Sequence, residues 1–364
     1  MLTAKDIRLF TICAVAAVAA GVAHFVPLGP IAPFMISAVA LALLATLVGH
    51  SVDALGDRLG AGATGVVQSA LGNLPELFVC IFALRAGLYD VVKGALVGSV
   101  LANVLLILGL AFVVGGVKHG TQTFAKGPAR TVSLLLVLSI AAWLIPSLTA
   151  ALHTPAADHE YALSVVTAVL LLGLFALSLP AAVARNKGHD GAATVDPRHE
   201  ADHAAAVSED VSRWPLTLAI GVLAVAGIGA AFVSDWFVSA LEPAMSAAHL
   251  SQAFAGLVVV AIAGNAVENV VGIQLAARNQ SDYALSVILQ SPLQIALVLA
   301  PVLVLVAPLV GATFTLVLSP LLIVSLIMAA IIAVLVVNDG ESTWLEGVAL
   351  IGLYVVIATS FWWG

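Results

Sequence analysis

Two copies of a short acidic motif constrain this chain more than any other feature of its sequence. One copy is Gly72-Asn73-Leu74-Pro75-Glu76, and the other is Gly264-Asn265-Ala266-Val267-Glu268. Each lies in an apolar segment long enough to cross a bilayer, where a carboxylate is costly and marks a functional site by default. The copies are 192 residues apart, and the same spacing relates Ser99 to Ser291. We therefore predict a duplicated unit in which each half contributes one glutamate to a shared site.

The composition places this site in a membrane. Hydrophobic residues make up 62% of the chain and charged residues 9%, against about 45–50% and about 25% in soluble domains. A net charge of −7 without a basic patch gives no indication of a nucleic-acid partner. Cys13 and Cys80 show no metal or redox spacing, so we interpret them as packing residues.

Apolar runs of about 20 residues predict an all-α polytopic membrane protein with about eleven transmembrane helices. The predicted spans are 8–26, 31–49, 62–85, 92–115, 130–150, 160–181, 215–238, 250–277, 284–306, 312–337 and 344–363. The polar residues between the second and third spans, 50–61, are expected to form a short interfacial helix.

The positive charges predict the orientation. The chain has 13 Lys and Arg residues, and with the N-terminus in the cytoplasm only Arg85 and Lys93 fall outside. Cytoplasmic loops carry such an excess of Lys and Arg. The bias therefore favours both a cytoplasmic N-terminus and an odd number of spans.

The odd count makes the two halves inverted. We divide the chain into an extra N-terminal helix (1–30), a first five-helix repeat (31–183), a polar cytoplasmic connector (184–213) and a second repeat (214–364). Five spans per repeat place the second half upside down relative to the first. Inverted repeats of this kind hold substrate near the bilayer midplane, at the repeat interface.

The motif residues are suited to a hard cation. Asn73 and Glu76 are three residues apart, as are Asn265 and Glu268, so each pair is expected to share a helix face. Calcium takes six to eight oxygen ligands from carboxylates, amides, carbonyls and water, whereas magnesium loses its water reluctantly. The motifs therefore favour calcium.

Two prolines could add backbone ligands. A proline inside a helix leaves the carbonyl four residues earlier without its amide partner, which would free Leu71 before Pro75 and Ile288 before Pro292. Freed carbonyls can coordinate cations in broken transporter helices. The structural alternative for either proline is a kink that only improves packing.

The spans after the motifs carry further polar side chains at one-turn spacing. They are Ser99 and Asn103 in the first half, and Gln290, Ser291 and Gln294 in the second. Hydrogen bonding between helices is their structural alternative. We favour Asn103 and Gln294 as site residues and leave both interpretations open for Gln290, with Asn269 and Gln274 as weaker candidates.

Competition between metal and protons would supply a coupling mechanism. Burial away from water and a second carboxylate nearby both favour the protonated form of a carboxyl group. The metal-free pair, Glu76 and Glu268, is expected to hold at least one proton near neutral pH, and a divalent cation would displace it. If only loaded states change sides, this competition gives antiport. The structural alternative is a protonated glutamate making one hydrogen bond.

The connector contains a competing motif. His199-Glu200-Ala201-Asp202-His203 matches H-E-x-x-H, in which two histidines bind zinc and the glutamate is a base. A polar connector of about 30 residues has no room for a catalytic domain, so we favour an accidental match. A zinc-dependent membrane hydrolase and a modest metal-sensing role are the alternatives.

Two long stretches resemble the repeat regions of the calcium/proton exchanger family, within the calcium:cation antiporter superfamily. They are GNLPELFVCIFALRAGLYDVVKGALVGSVLANVLLILGLAFVVGG (72–116) and AIAGNAVENVVGIQLAARNQSDYALSVILQSPLQIALVLAP (261–301). The resemblance implies export of cytosolic Ca²⁺ in exchange for H⁺, with Glu76 and Glu268 alternately binding the two ions and no cofactor. It further implies a site lined by Asn73, Asn265, Ser99, Asn103, Ser291 and Gln294.

The sequence departs from this family at Leu74-Pro75, Pro292 and Gln290, which bears on ion selectivity and coordination number. The nearest rival is a Na⁺-coupled exchanger, whose sites carry more Ser and Thr around the carboxylates. A short chain favours a bacterial plasma membrane, and the sequence is compatible with a homo-oligomer.

Overall fold

Helices account for almost all of the described structure. It is a computed structural model that describes residues 3–59, 71–189 and 214–363. Only the backbone is described for 56–59, 126, 128, 179–189, 267 and 268. The helices are α1 (Ala4–Phe25), α2 (Ile31–Leu59), α3 (Leu74–Arg85), α4 (Tyr89–Leu101), α5 (Leu108–His119), α6 (Lys126–Ala151), α7 (Glu160–His189), α8 (Leu216–Ala248), α9 (Gln252–Phe254), α10 (Ala261–Gly264), α11 (Ala266–Ala277), α12 (Ser281–Gln294), α13 (Ala300–Val306), α14 (Pro320–Asn338) and α15 (Trp344–Ser360).

Shorter elements join these helices. π-Helical turns at Ala102–Ile107, Ala255–Val260 and Ile295–Leu299 connect α4 to α5, α9 to α10 and α12 to α13. Single 3-10 turns occupy Pro155–His159 and Ala307–Val310. The described residues also form one antiparallel ladder, β1 (Gln122–Thr123) with β2 (Glu341–Ser342).

The predicted all-α membrane fold is confirmed. Eight described helical segments are long and apolar enough to cross a bilayer, and a ninth candidate is bent by 62° between Gln252–Gly264 and Asn269–Ala277. Trp344–Ser360 is a shorter apolar helix. Each predicted span overlaps a described helix, but 62–70, in the third span, lie outside the described residues. The count of eleven spans therefore stays a prediction.

Local sequence signals start the first and last helices. Thr3 and Asp6 form a capping box at α1, and Thr343 and Glu346 form another at α15. In each box the threonine accepts a hydrogen bond from the backbone of the acidic residue, whose carboxylate accepts one in return. Glu346 is thus used to stabilise a helix end.

The predicted interfacial helix at 50–61 is wrong. Helix α2 continues without a break through Leu59, and 60–61 lie outside the described residues. Val52 and Leu55 are buried in the hydrophobic core, and Ser51 donates a hydrogen bond to the Leu47 carbonyl at 2.7 Å. Burial of these apolar side chains stabilises an extension of the span in place of a separate surface helix.

The tenth predicted span, 312–337, is wrong at its start. Residues 312–319 form no helix, and buried positions alternate with more exposed ones along them, as in an extended segment. The helix begins only at Pro320, a residue suited to the first turn. The extended segment satisfies its backbone with hydroxyls from other helices. Ser164 accepts from the Leu316 amide at 3.0 Å, and Ser147 both donates to the Leu316 carbonyl and accepts from the Leu318 amide, each at 2.9 Å.

Loops predicted on the same side of the membrane meet in the structure. The β1–β2 ladder joins the loop after the fourth span to the loop before the eleventh. Asp282, between the eighth and ninth spans, accepts from the Ala125 amide at 2.6 Å. Gln122 donates to the Ala276 carbonyl and the Asn279 side chain at 3.2 and 3.0 Å. These contacts agree with the predicted alternation of spans.

Two spans form the centre of the molecule. The most apolar stretch of Tyr89–His119 is 72% buried and that of Ser281–Val310 is 61% buried, whereas that of α1 is only 17% buried. The central spans carry Ser99 and Ser291, the pair related by the 192-residue spacing. The fold therefore surrounds these polar positions with protein and leaves α1 at the periphery.

Candidate cation site between the two halves

Both acidic motifs coincide with a break in a helix. Asn73 has φ −93° and ψ 18°, and Asn265 has φ −100° and ψ 22°, so the two backbones are nearly the same. A helix of 12 residues follows each asparagine, and the glutamate is its third residue. The three-residue spacing predicts that each asparagine shares a helix face with its glutamate. In the structure each asparagine instead lies just before the helix that carries the glutamate.

The expectation that Pro75 interrupts a continuous helix is wrong. Pro75 lies in the first turn of α3, where a backbone amide has no intrahelical partner to lose. The interruption comes earlier, in the turn at 72–73. Coordination by the Leu71 carbonyl stays a prediction. Pro292 does lie inside α12, as predicted, three residues before the π-helical turn Ile295–Leu299.

Glycines allow the two halves to approach at the site. A Cβ on Gly98 would lie 2.2 Å from the Leu257 carbonyl oxygen, and one on Gly94 would lie 2.6 Å from the Ala253 oxygen. From the other side, a Cβ on Gly256 would lie 2.1 Å from the Val91 oxygen. Small residues in membrane helices permit such close backbone packing. This crossing brings Ser99 on α4 close to the second motif.

Ser99 connects the two halves through hydrogen bonds. Its hydroxyl donates to Glu76 Oε1 and accepts from Asn265 Nδ2 at 2.9 Å. Asn265 in turn accepts from the Ser291 hydroxyl at 3.0 Å through Oδ1. Asn103 Nδ2 donates to the Ser99 carbonyl at 2.8 Å and, over 3.4 Å, to Ser291. Five polar residues from four helical segments therefore form one network.

A second contact spans the halves beside this network. Asn73 Nδ2 donates to Gln294 Oε1 over a long 3.4 Å. Glu76, Ser99, Asn103 and Asn265 show no exposed surface, and Asn73, Ser291 and Gln294 are also buried. The structure thus brings together seven of the predicted site residues. They are Asn73, Glu76, Ser99, Asn103, Asn265, Ser291 and Gln294.

Gly264 belongs to the site although sequence reasoning assigned it no role. A Cβ at this position would lie 3.3 Å from Glu76 Cβ and 3.5 Å from its carboxyl carbon. The first residue of the second motif therefore packs directly on the acid of the first motif. The shared glycine of Gly72-Asn73 and Gly264-Asn265 was the available signal.

Several weaker predictions fall elsewhere. Gln290 and Gln274 are exposed, which leaves them outside the cluster, whereas Asn269 is buried one turn after Asn265. The backbone places Glu268 in the first turn of α11, but its side chain lies outside the described residues. The H-E-x-x-H sequence at 199–203 also lies outside them.

The cluster offers oxygen ligands and little else. Asn103 Oδ1 is a buried acceptor that has no hydrogen-bond partner among the described residues. Within the same described ranges, no three His, Cys, Asp or Glu side chains gather as a metal group. Both motif helices begin at the site, and a helix N-terminus carries a partial positive charge of roughly half a unit. A cation there needs carboxylate charge to offset the two helix ends.

Comparison with known proteins identifies the family. The chain matches the family described as sodium/calcium exchanger protein over residues 29–183 and 218–363. It belongs to this family. The two matched segments begin and end within a few residues of the predicted repeats, 31–183 and 214–364.

Individual relatives extend along nearly the whole chain. The chain is 32% identical over 347 residues to the Ca²⁺/H⁺ antiporter of Synechocystis sp., with 93% of each chain covered. It is 31% identical to the Ca²⁺/H⁺ antiporter ChaA of Bacillus subtilis, covering 90% of this chain and 91% of that one. The structure of native YfkE superimposes with a TM-score of 0.80 at 28% identity, covering 97% and 99%. The resemblance to calcium/proton exchangers is confirmed.

Proposed function

We propose that this integral membrane protein is a Ca²⁺/H⁺ antiporter that exports cytosolic Ca²⁺ while protons enter. The observation that carries the proposal is the buried link from Glu76 through Ser99 to Asn265, because it joins both acidic motifs in one oxygen-rich site. The names of two relatives that are similar over most of the chain support the choice of ions.

Glu76 and Glu268 are the proposed acids of the exchange. An ionised carboxylate held away from water costs several kcal/mol (about 3–5 kcal/mol when its partner is lost) unless a cation or proton compensates it. Glu76 has no exposed surface. Its carboxyl group is therefore stable either with Ca²⁺ bound, which offsets the negative charge, or with a proton bound, which removes it. Asn73, Asn103, Asn265, Ser99, Ser291, Gln294 and the Leu71 carbonyl are the proposed neutral ligands. The exchange needs no cofactor.

Alternating access follows from the proposed division into inverted repeats. The matching backbone at Asn73 and Asn265 supports a common origin of the two motif helices. The π-helical turns Ala102–Ile107 and Ile295–Leu299 fall at nearly the same repeat position after the 192-residue spacing. π-Helical turns occur often at functional sites. We propose a bacterial plasma membrane and a cytoplasmic N-terminus, as the Lys and Arg distribution indicates.

Ca²⁺ uptake into proteoliposomes tests the function. A pH gradient imposed without Na⁺ should drive uptake of radiolabelled Ca²⁺ by the wild-type protein, and collapse of the gradient with a protonophore should stop it. Glu76→Gln and Glu268→Gln should each abolish this uptake while the protein remains folded. Glu242→Gln, which removes an exposed carboxylate from α8, is the matched control and should transport normally.

Three outcomes would contradict the proposal. An absolute requirement for Na⁺ would favour the Na⁺-coupled rival. Substantial uptake by either glutamine variant would remove that glutamate from the mechanism. Loss of uptake on deletion of the H-E-x-x-H motif, with Glu76 and Glu268 intact, would favour a role for the connector.

A further inference from the structure

An open groove runs between α3 and α8 on the outside of the protein. It has a volume of about 680 Å³, within the roughly 300–1,000 Å³ typical of small-molecule pockets. Most of its wall is apolar, with Phe78 and Phe82 on α3 and Phe232 on α8. Leu74 lies at one end, where its Cδ1 is 4.0 Å from the position of a Cβ on Gly227.

Two opposite charges line the other end of the groove. Arg85 is in the last turn of α3, and Asp235 is on α8. Both are exposed, and no ion pair joins them in the ranges that the structure describes. The Arg85 guanidinium carbon lies 5.9 Å from the centre of the Phe82 ring. The spans containing α3 and α8 run in the same direction in the predicted topology, which places both charges towards the same face of the membrane.

The length of the groove matches one leaflet of a bilayer. Helix α3 has 12 residues from Leu74 to Arg85, which at about 1.5 Å per residue is about 18 Å. Half of a hydrocarbon core about 30 Å thick is about 15 Å. An acyl chain lying along α3 would therefore reach from the interface to Leu74, next to Asn73 of the cation site.

We propose that this groove binds one phosphatidylethanolamine molecule. The acyl chain lies along the phenylalanine-lined wall, the phosphate accepts hydrogen bonds from Arg85, and the primary ammonium donates to Asp235. Charge complementarity selects this lipid, because an ammonium group has N–H donors for a carboxylate that the quaternary ammonium of phosphatidylcholine lacks. Phosphatidylglycerol would place an uncharged glycerol beside Asp235, with no positive charge to offset the carboxylate.

A second groove gives a useful contrast. The space between α1, α2 and α8 has a volume of about 540 Å³, and its described lining residues, such as Phe10, Leu44 and Val225, include no charged side chain. It can accept hydrocarbon, but none of these described residues distinguishes one headgroup from another. Preference for a particular headgroup is therefore expected from the α3–α8 groove.

Native mass spectrometry of the full-length protein in detergent tests the proposal. Equal amounts of phosphatidylethanolamine, phosphatidylcholine and phosphatidylglycerol with identical acyl chains are added, and the retained lipids are compared. Wild type should retain phosphatidylethanolamine about fivefold over the other two, the size expected for one exposed charged contact. Arg85→Gln should reduce this retention about fivefold, and Asp235→Asn should remove the preference over both other lipids.

A third variant tests the acyl chain, and matched variants provide controls. Gly227→Leu should fill the groove, because Leu74 is the only described residue that approaches a Cβ there, and leucine favours a helix more than glycine does. It should reduce phosphatidylethanolamine retention without loss of thermal stability. Arg130→Gln, Glu242→Gln and Gly352→Leu alter exposed positions that do not line the groove, and should behave as wild type.

The proposal is overturned if wild type retains the three lipids equally, or if Arg85→Gln and Asp235→Asn match their controls. A response to Gly227→Leu alone would also overturn it, because it would show hydrocarbon binding without recognition of the headgroup.

Discussion

Replacing Ser99 with alanine removes the hydroxyl that joins Glu76 to Asn265. Ser99 is fully buried, and it is the donor to Glu76 Oε1 and the acceptor from Asn265 Nδ2. Asn265 keeps its bonds to the Ala261 carbonyl at 2.9 Å and to Ser291 at 3.0 Å. The substitution therefore leaves both motif helices in place but removes the contact that orients the carboxylate and offers an oxygen to the cation.

The expected loss follows from the kind of bond removed. A hydrogen bond to a charged group contributes about 1.5–3 kcal/mol, and each 1.4 kcal/mol is about tenfold in affinity. We therefore expect the Ser99→Ala protein to bind Ca²⁺ about 10- to 100-fold more weakly. Asn265 loses one partner of its amide, so the free energy of unfolding should also fall, by about 1–3 kcal/mol.

Two other serines separate the effect on affinity from the effect on stability. Ser133 is buried, but its hydroxyl has no hydrogen-bond partner among the described residues, so Ser133→Ala should change neither quantity. Ser147 holds the extended segment through two hydrogen bonds far along the chain from the motifs. Ser147→Ala should lower the free energy of unfolding while the Ca²⁺ affinity stays normal.

The assay is the Ca²⁺ dependence of pH-driven uptake in proteoliposomes at one fixed pH, with thermal unfolding followed in detergent. The reasoning is refuted if Ser99→Ala has the same apparent Ca²⁺ affinity as Ser133→Ala. It is also refuted if Ser147→Ala weakens Ca²⁺ binding as much as Ser99→Ala does.

Three further substitutions test the geometry around the site. Gly98→Ala should prevent stable folding, because its Cβ would lie 2.2 Å from the Leu257 carbonyl oxygen. Overpacking against backbone costs at least about 1–3 kcal/mol. A normal expression level and melting temperature would contradict the close crossing. Gly264→Ala should push Glu76 by a few tenths of an ångström and weaken Ca²⁺ binding about fivefold, for a cost of about 1 kcal/mol. Gly173→Ala should have no effect, because no described atom lies within 4 Å of a Cβ at that position. Gln122→Ala should lower the free energy of unfolding by about 1–3 kcal/mol, because two hydrogen bonds are lost. An unchanged melting temperature would show that this loop does not hold α11.

The sequence was most informative where polar residues interrupt apolar segments. Asn73, Glu76 and Asn265 could be assigned to one site from the sequence alone, because a repeated spacing of 192 residues relates the segments that carry them and because buried polar groups in a membrane need partners. Ser99 is assigned to the same site by the family resemblance. The hydrogen bonds that join Glu76, Ser99 and Asn265 agree with these assignments. Gly94 and Gly98 also form the G-x-x-x-G spacing that is typical of close helix packing.

Other features depended on tertiary contacts that the sequence does not display. Apolar periodicity could not distinguish the extended residues 312–319 from a helix, since Ser147 and Ser164 on distant helices satisfy their backbone. Pro75 indicated a broken helix, but not that the break lies before it. Gln290 and Gln294 are one turn apart, yet only Gln294 is buried, because the face that α12 presents to the site is set by its neighbours.

Proton release on Ca²⁺ binding is the most direct measurement of the central claim. Ca²⁺ is added to the purified protein in weakly buffered detergent solution near neutral pH, and the released protons are counted with an indicator dye. If Ca²⁺ and H⁺ compete for Glu76 and Glu268, the wild-type protein releases protons as it binds Ca²⁺, while Glu76→Gln and Glu268→Gln lose both the binding and the release. Tight Ca²⁺ binding by the wild-type protein without proton release would contradict the account.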